Sequence, residues 1–469
     1  MKDMHIHEAK LKPWKWLGVA LIGIPIVTGV LILAEVNLST QIDSIRWHFS
    51  SLDEAYRYPF DESLSGNRSL VSGLEQEIAF YQERVRENPE GAFDRSALAS
   101  AYLRMARVTG QSNWYLLAEQ AAQQSLVSLP IDNSDAIAVL ARVAEARHDF
   151  PGALRLAEQV TNERDAVAIQ LTSYLAMGKL NEANQAADRL IDLTLSMNAF
   201  TLKALVNATQ GNDQEALQNF QYALEVEEPI EFTNSARTRT LLGRYYYERG
   251  QLELAGDLYR EALHISPEYP QALLNLAQLD IRQGRYSSAD RHYAQLVEKL
   301  GSNPTVYDAL ILRGRARIKV LQGNPEAANP FWDDAEMLLR QTSTDTNAGF
   351  GHRRDLARLL LERGRSQDIP EAVALMQAEV KLRRDADTLD TYAWALSQAG
   401  DWQEAQHVIQ EAIDLGTRDA ALFHRAGTIE QALGNSAQAN LHFQEAQQID
   451  PTFGDRALQS TGLGAGLGS

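Results

Sequence analysis

Cysteine is absent from all 469 residues, which excludes disulfides, zinc–thiolate sites, iron–sulfur clusters, a thiol nucleophile and a lipid-modified cysteine. Basic charge is scarce as well: 44 Lys and Arg stand against 62 Asp and Glu, for a formal net charge of −18. Coating the phosphates of a nucleic acid needs a net basic footprint, so nucleic acid is not an expected partner. Catalytic signatures are missing too, with no G-x-S-x-G, Walker A, H-E-x-x-H or EF-hand pattern. Carboxylate pairs such as Glu75/Glu77 and Asp333/Asp334 read as solvated charges in an acidic chain rather than as a general acid and base. His5 and His7 have no third ligand nearby, and His407, His424 and His442 fall on different helical faces. The expectation is therefore a protein that is not an enzyme, with no catalytic residue, no metal site and no cofactor. The terminal GLGAGLGS has phosphate-loop spacing, but no helix can follow it, and residues 459–469 read as a flexible tail.

Long apolar runs are lacking with one exception. Leu17 to Ala34 is uncharged throughout and long enough, as a helix, to approach the thickness of a bilayer's hydrocarbon layer. Its glycines and Pro25 are tolerated in membrane helices, and Trp14 and Trp16 stand at its entrance, where indoles favour the interface. Lys2, Lys10, Lys12 and Lys15 precede it, whereas Glu35 and Asp43 follow. The positive-inside bias therefore predicts a cytoplasmic tail over 1–16, a transmembrane anchor over 17–34, and an extracytoplasmic remainder, periplasmic or equivalent. The alternatives are a buried soluble helix and a cleaved signal peptide, although Ile32-Leu33-Ala34 lacks the small residue expected two positions before the terminal Ala of a cleavage site. An anchor and a signal peptide both export the rest of the chain. Residues 35–69 then combine a helically spaced apolar set, Leu38, Ile42, Ile45, Phe49, Leu52 and Tyr56, with the polar linker Pro59 to Arg68.

What the remainder has in abundance is small residues in phase. Between Arg239 and Pro267 stand Leu242-Gly243, Tyr246, Gly250, Ala255, Tyr259, Ala262 and Pro267. Gly243 and Ala255 are small where two helices must touch, Tyr246 and Tyr259 fill the space beside them, Gly250 permits a turn, and Pro267 stops the second helix. The spacing recurs in Ala277, Gly284, Ala289, Tyr293, in Ala393, Gly400, Ala405, Ala412, and in full at Gly427, Gly434, Ala439, Phe443, Ala446, Pro451. Looser copies run through Ala204–Ala223, Tyr174–Ala183 and Ala316–Ala335, where Pro330 is expected to bend or shorten a helix. Degenerate copies surround Ala99/Ala118 and Ala141/Ala153, and a longer-turned one surrounds Ala357/Gly364/Ala372. This pattern resembles the tetratricopeptide repeat, a helix–turn–helix unit of about 34 residues. The run that follows Trp394 looks like the end of bacterial membrane-associated members.

The resemblance implies an all-α, right-handed solenoid of nine to eleven stacked helix pairs, carrying one amino-terminal transmembrane helix. Breaks of phase at Glu228–Glu231 and Thr342–Phe350 divide it into arrays over 70–230, 236–342 and 349–458. Leu70 to Glu87 is expected to be a helix ended by Asn88-Pro89, and Thr109 to Asn113 a long turn offering an irregular contact surface. In this family the first helix of each pair lines the concave face, which places Arg237, Arg244, Arg282, Arg313 and Arg317 there or at its lip. Guanidinium groups so arranged would recognise carboxylates, making a protein or acidic peptide the expected partner. The same arginines could instead satisfy internal acids such as Glu248, Asp257 and Asp280. Asn275 falls where the family's carboxylate clamps place an Asn, but Thr240 and Arg244 stand where those clamps need Lys and Asn. Trp394 is a further candidate anchor on the concave side, and the ends of the stack leave self-association open. The expected role is a membrane-anchored scaffold that holds another protein, or an accessory subunit of an envelope enzyme or transporter.

Overall fold

The computed structural model describes residues 70–461 apart from 229–230, 268, 301–304 and 345–352, all within a single unit spanning Tyr58–Ser469. The expected anchor Leu17–Ala34, the stretch 35–69 and residues 462–469 lie outside the described residues. Among the described residues there are 22 α-helices and no β-strand, and no helix is long and apolar enough to cross a membrane. After α1 (Leu70–Glu87) come the pairs α2 (Ala92–Thr109) with α3 (Ser112–Ser128), α4 (Ser134–Ala146) with α5 (Phe150–Ala157), and α6 (Glu163–Ala176) with α7 (Leu180–Leu193). They continue as α8 (Met197–Thr209) with α9 (Asp213–Glu225), α10 (Phe232–Glu248) with α11 (Leu252–Ile265), and α12 (Pro270–Arg282) with α13 (Tyr286–Leu300). The last four are α14 (Asp308–Leu321) with α15 (Asn329–Thr344), α16 (Arg353–Arg363) with α17 (Ile369–Glu379), α18 (Ala386–Gln398) with α19 (Trp402–Asp414), and α20 (Ala420–Ala432) with α21 (Ser436–Ile449), closed by α22 (Asp455–Thr461). The architecture is an α-solenoid.

Each pair is held by the contact that the small residues allow. A Cβ added at Gly243 would lie 2.6 Å from the Tyr259 ring, and one at Gly427 would lie 2.5 Å from the ring of Phe443. Between successive pairs the same device recurs, where Tyr293 of α13 obstructs Gly314 of α14. In all three an aromatic from a second helix lies flush on the backbone of a first helix, its own partner at Gly243 and Gly427 and the next pair's at Gly314, where any side chain would push the helices apart. Ala255, Ala277, Ala289, Ala316, Ala357, Ala393 and Ala405 are completely buried at the equivalent contacts. Tyr246 and Tyr259 are buried with them, each contributing roughly 2–3 kcal/mol of apolar burial. Gly250 ends α10 with φ of +71°, a conformation that a Cβ disfavours by about 1 kcal/mol.

Three local expectations change. The turn after α2 is not long: only Gly110 and Gln111 separate Thr109 from Ser112. Gly110 closes α2 by donating its N–H to the Ala106 carbonyl, and the Gln111 side chain accepts from the Trp114 indole at 2.9 Å, so α3 starts earlier than its polar residues suggested. Pro330 bends nothing. A 3-10 turn at Glu326–Ala328 precedes α15, leaving Pro330 as its second residue, in the first turn where a missing N–H costs no hydrogen bond. At the other end, residues 459–461 complete α22. Across both breaks of phase the helices pack on continuously, α9 on α10 and α15 on α16.

The pairs also meet far beyond their neighbours in sequence. The Val306 N–H donates to the Gly110 carbonyl at 2.9 Å, and the Arg384 N–H donates to that of Met177 at 3.3 Å. The Thr417 hydroxyl donates to the Thr209 carbonyl at 2.8 Å, across 208 residues. Arg418 reaches Asp213 at 2.9 Å, across 205 residues, and Arg282 forms a buried ion pair with Asp450. In each case a turn inside an early pair touches a loop between late pairs. The solenoid therefore winds through more than one turn, and the edges of successive turns are joined along a seam.

Candidate functional site

Side chains on several first helices act on one another across this winding. Groups far apart in sequence set one another's charge there. The Asp387 carboxyl at the start of α18 is held down at about 2: burial opposes this, but Arg354, Arg358, Arg244 and Arg383 together outweigh it. Conversely Arg244 on α10 is stabilised as a cation chiefly by Glu248, against burial and with help from Asp387.

The arginines expected to bind a partner divide by what already holds them. Arg313 and Arg317 on α14 both donate to Glu362 on α16, at 2.5 and 2.7 Å, and Glu362 is only 1% exposed. Burial raises the proton affinity of Glu362, yet the two guanidiniums prevail and keep its pKa at about 2. Arg282 is committed to the seam, donating to Asp450 and to the Thr452 hydroxyl at 2.7 Å. Two neighbouring arginines outside that set are also paired, Arg285 with Asp280 and Arg315 with Asp290 at 3.0 Å. Arg244 pairs with Glu248 at 2.7 Å but leaves its side chain 58% exposed. Arg237 makes a hydrogen bond of 2.9 Å to the neutral Asn198 amide. Trp394 is only 7% exposed in the core beside Leu356, Leu360 and Met376, with the Arg425 guanidinium 4.7 Å from its ring centre. Arg425 is itself paired with Asp390 at 2.6 Å, so this indole has little surface to offer.

Two clusters emerge that spacing did not indicate. Around the level of Arg237 lie Arg107 on α2 and Arg142 on α4. Arg107 keeps an exposed side chain, yet it is lowered to about 10, first by the surrounding protein and then by the like charge of Arg142, with Arg237 adding to it. Arg237 is lowered for the same two reasons, burial before Arg142. Glu145 acts on Arg107 in the opposite sense, but it already accepts from Arg142 at 2.9 Å and from the Ser173 hydroxyl at 3.0 Å. Among the described residues nothing accepts a hydrogen bond from Arg107. The second cluster is acidic. Asp419, which caps α20 by accepting the Leu422 N–H at 2.9 Å, is pushed up to about 6 by burial and then by Glu248, with Asp390 and Asp387 behind. Arg107 and Arg142 sit in the degenerate copies around Ala99 and Ala141. There the repeat signal is too faint to fix a register, so neither residue could be assigned to a face.

Elsewhere the described residues hold little that suggests chemistry. No group of three or more His, Asp or Glu among them could hold a metal ion. A surface depression of about 460 Å³ is lined by Asp333, Glu336, Met337, Arg340, Gln341 and Arg365, but its charges are spent on one another, Arg365 with Glu336 at 2.9 Å and Arg340 with Glu336 at 2.8 Å. His424 packs against Phe443 and Phe453, and His442 against Phe423; both imidazoles are lowered, chiefly by burial.

Comparison with known proteins adds to this geometry. Residues 246–313 and 170–229 match family models described as tetratricopeptide repeat. Over 339 residues the chain is 24% identical to cellulose synthase operon protein C of Pseudomonas fluorescens (strain SBW25), covering 68% of this chain and 25% of that protein. An 87-residue stretch is 38% identical to the protein of the same name from Xanthomonas axonopodis pv. citri (strain 306), covering 18% and 6%. The chain thus spans a quarter or less of the length of these relatives. Over 126 residues it is 32% identical to photosystem I assembly protein Ycf3 of Synechococcus sp. (strain CC9605), covering 24% of this chain and 71% of that protein. Among solved structures, the human IFIT1 dimer with PPP-AAAA aligns at 13% identity with a TM-score of 0.44, over 80% of this chain and 87% of that one.

Proposed function

The chain belongs to the tetratricopeptide repeat family, whose members generally mediate protein–protein interaction or assembly, and on that premise we propose that it is a scaffold whose inner wall holds an acidic segment of another protein. The observation that carries this is Arg107, a guanidinium without an acceptor among the described residues, grouped with the like charges of Arg142 and Arg237 beside a Glu145 already engaged by Arg142. Like charges gathered on a concave wall disfavour one another until a further carboxylate enters, and guanidinium pairs bind carboxylates strongly and directionally. Arg244, still largely exposed, extends the basic track. Leu17–Ala34 anchors the scaffold in a membrane with residues 1–16 in the cytoplasm and the repeats outside it. No catalytic step is assigned to the chain.

The test is binding of a fluorescent glutamate-rich peptide to the purified chain. Affinity should fall as salt rises and drop by about tenfold or more in Arg107→Glu/Arg237→Glu, a change of about 1.4 kcal/mol. Unchanged affinity in that variant, with helicity intact, would remove the proposal. A photoreactive residue at position 107, 237 or 244 in intact cells then identifies the natural occupant.

A second reading is favoured by two relatives, one named for photosystem I assembly and one for a cellulose synthase operon. In it the solenoid is an assembly or accessory subunit with one fixed catalytic partner. Recovery of a single protein in one-to-one ratio after crosslinking supports this over a general scaffold.

A further inference from the structure

The seam has two sides, and each continues past the place where the chain uses it. On one side are the turns inside pairs. In the early pairs these turns are covered by the next winding. A Cβ at Gly178 would lie 2.5 Å from the Arg384 carbonyl, one at Gly110 would strike the Tyr307 ring, one at Gly211 the Gly416 carbonyl, and one at Gly250 the Asp450 carboxylate. In the later pairs the same turns, at Gly323, Gly400 and Gly434, have nothing among the described residues within 4 Å. On the other side are the loops between pairs. The late ones, around Val306, Arg384, Thr417 and Asp450, cover the early turns. The early ones leave large apolar side chains in water: Val127 is 85% exposed, Ile131 72% and Leu195 70%, with Phe93 on the same edge. Isolated exposed apolar residues are ordinary, but a row of them along one edge marks an interface.

The free turns of the late pairs and the free loops of the early pairs are thus the two halves of a contact that the chain already makes with itself. We propose that a second copy of this chain docks head to tail, with the turns at Gly323, Gly400 and Gly434 of one copy seated on the loops around residues 127–131 and 193–195 of the next. Such an interface is heterologous: each copy keeps one edge unused after pairing, so assembly proceeds past a dimer and the winding is carried on from copy to copy. The occupant is argued from continuity with the seam. The inner-wall arginines take no part, so this inference stands apart from the peptide-binding reading.

The experiment is sedimentation velocity of the purified full chain at increasing concentration. One variant, Val127→Arg/Leu195→Arg, blocks the early edge; another, Ala399→Arg/Ala432→Arg, blocks the late edge at two exposed positions. The unmodified chain should grow beyond a dimer. Each variant alone should stay monomeric, its self-affinity weakened by more than about tenfold. An equimolar mixture of the two should form a dimer and nothing larger, because each brings one intact edge. A monomeric unmodified chain, as expected if residues 1–69 fold back over the early loops, overturns the proposal. So does a mixture that fails to pair while both variants keep their helicity.

Discussion

Replacing Glu362 by Gln tests whether the central arginines hold the fold together. The carboxylate is 1% exposed between Arg313 and Arg317, and its pKa is about 2 rather than the ordinary 4.5. Each unit of that difference corresponds to about 1.4 kcal/mol, so the charged form contributes on the order of 3 kcal/mol to folding. Breaking a buried pair by removing one partner independently gives about 3–5 kcal/mol, because the stranded cations keep their desolvation cost. Glu362→Gln preserves the volume and removes the charge, so urea unfolding at neutral pH should show a loss of about 3 kcal/mol. The sign with pH follows from a depressed carboxylate. The contribution is complete above pH 4.5 and disappears as pH falls through 2, so the gap between the two proteins should close over that interval. A loss below about 0.5 kcal/mol, the usual range for surface changes, would show that Arg313 and Arg317 do not depend on Glu362 and would return them to the list of partner-binding groups.

Asp419 should behave in the opposite sense. Its folded pKa of about 6, raised from 3.8 by burial and by Glu248, means that the folded state binds its proton more tightly. Its penalty is therefore full above pH 6 and is relieved as pH falls towards 3.8, and Asp419→Asn, which keeps a capping side chain, should stabilise the protein near neutral pH by roughly 1–3 kcal/mol and flatten the pH profile. The seam can be weighed with two glycines of similar backbone: φ is +71° at Gly250 and +84° at Gly434. Gly434→Ala should cost only the backbone strain of about 1 kcal/mol, whereas Gly250→Ala also displaces Asp450 from Arg282 and should cost roughly 2–4 kcal/mol by urea unfolding; equal losses would mean that the windings are not joined there. Gly427→Ala drives a methyl to 2.5 Å from the Phe443 ring. It should cost about 1–3 kcal/mol, read as an earlier loss of protection against hydrogen exchange in α20 and α21.

The unit of this fold was legible because its cause is local. Gly243 against Tyr259 and Gly427 against Phe443 are contacts within single helix pairs, so the small residue and the aromatic must recur at a set spacing, and the spacing is visible. Where the local device changed, the signal faded. In the pair α4/α5 the turn residue with positive φ is His148, at +59°, and the copy around Ala141 reads as degenerate although its helices pack like the others. The end of α1 at Glu87 was also readable, since Asn88-Pro89 follows at once. The short turn at Gly110–Gln111 was not, because its polar residues read as loop, whereas Gln111 bonds the Trp114 indole and Thr305 and Val306 bond to the turn from the next winding.

The chain's own sequence determined that there are stacked helix pairs, their number to within a range of nine to eleven, and, through the family resemblance, that arginines gather on their first helices. Only the tertiary structure decided which of those arginines are spent. Arg313 and Arg317 are held by Glu362 and Arg282 by Asp450, while Arg107 is left over. The difference is physical: packing inside a pair depends on residues a few turns of helix apart, whereas the charge around an arginine depends on how far the stack rotates per pair. That rotation is a small angle summed over many repeats, and it leaves no periodic mark on the residues it brings together.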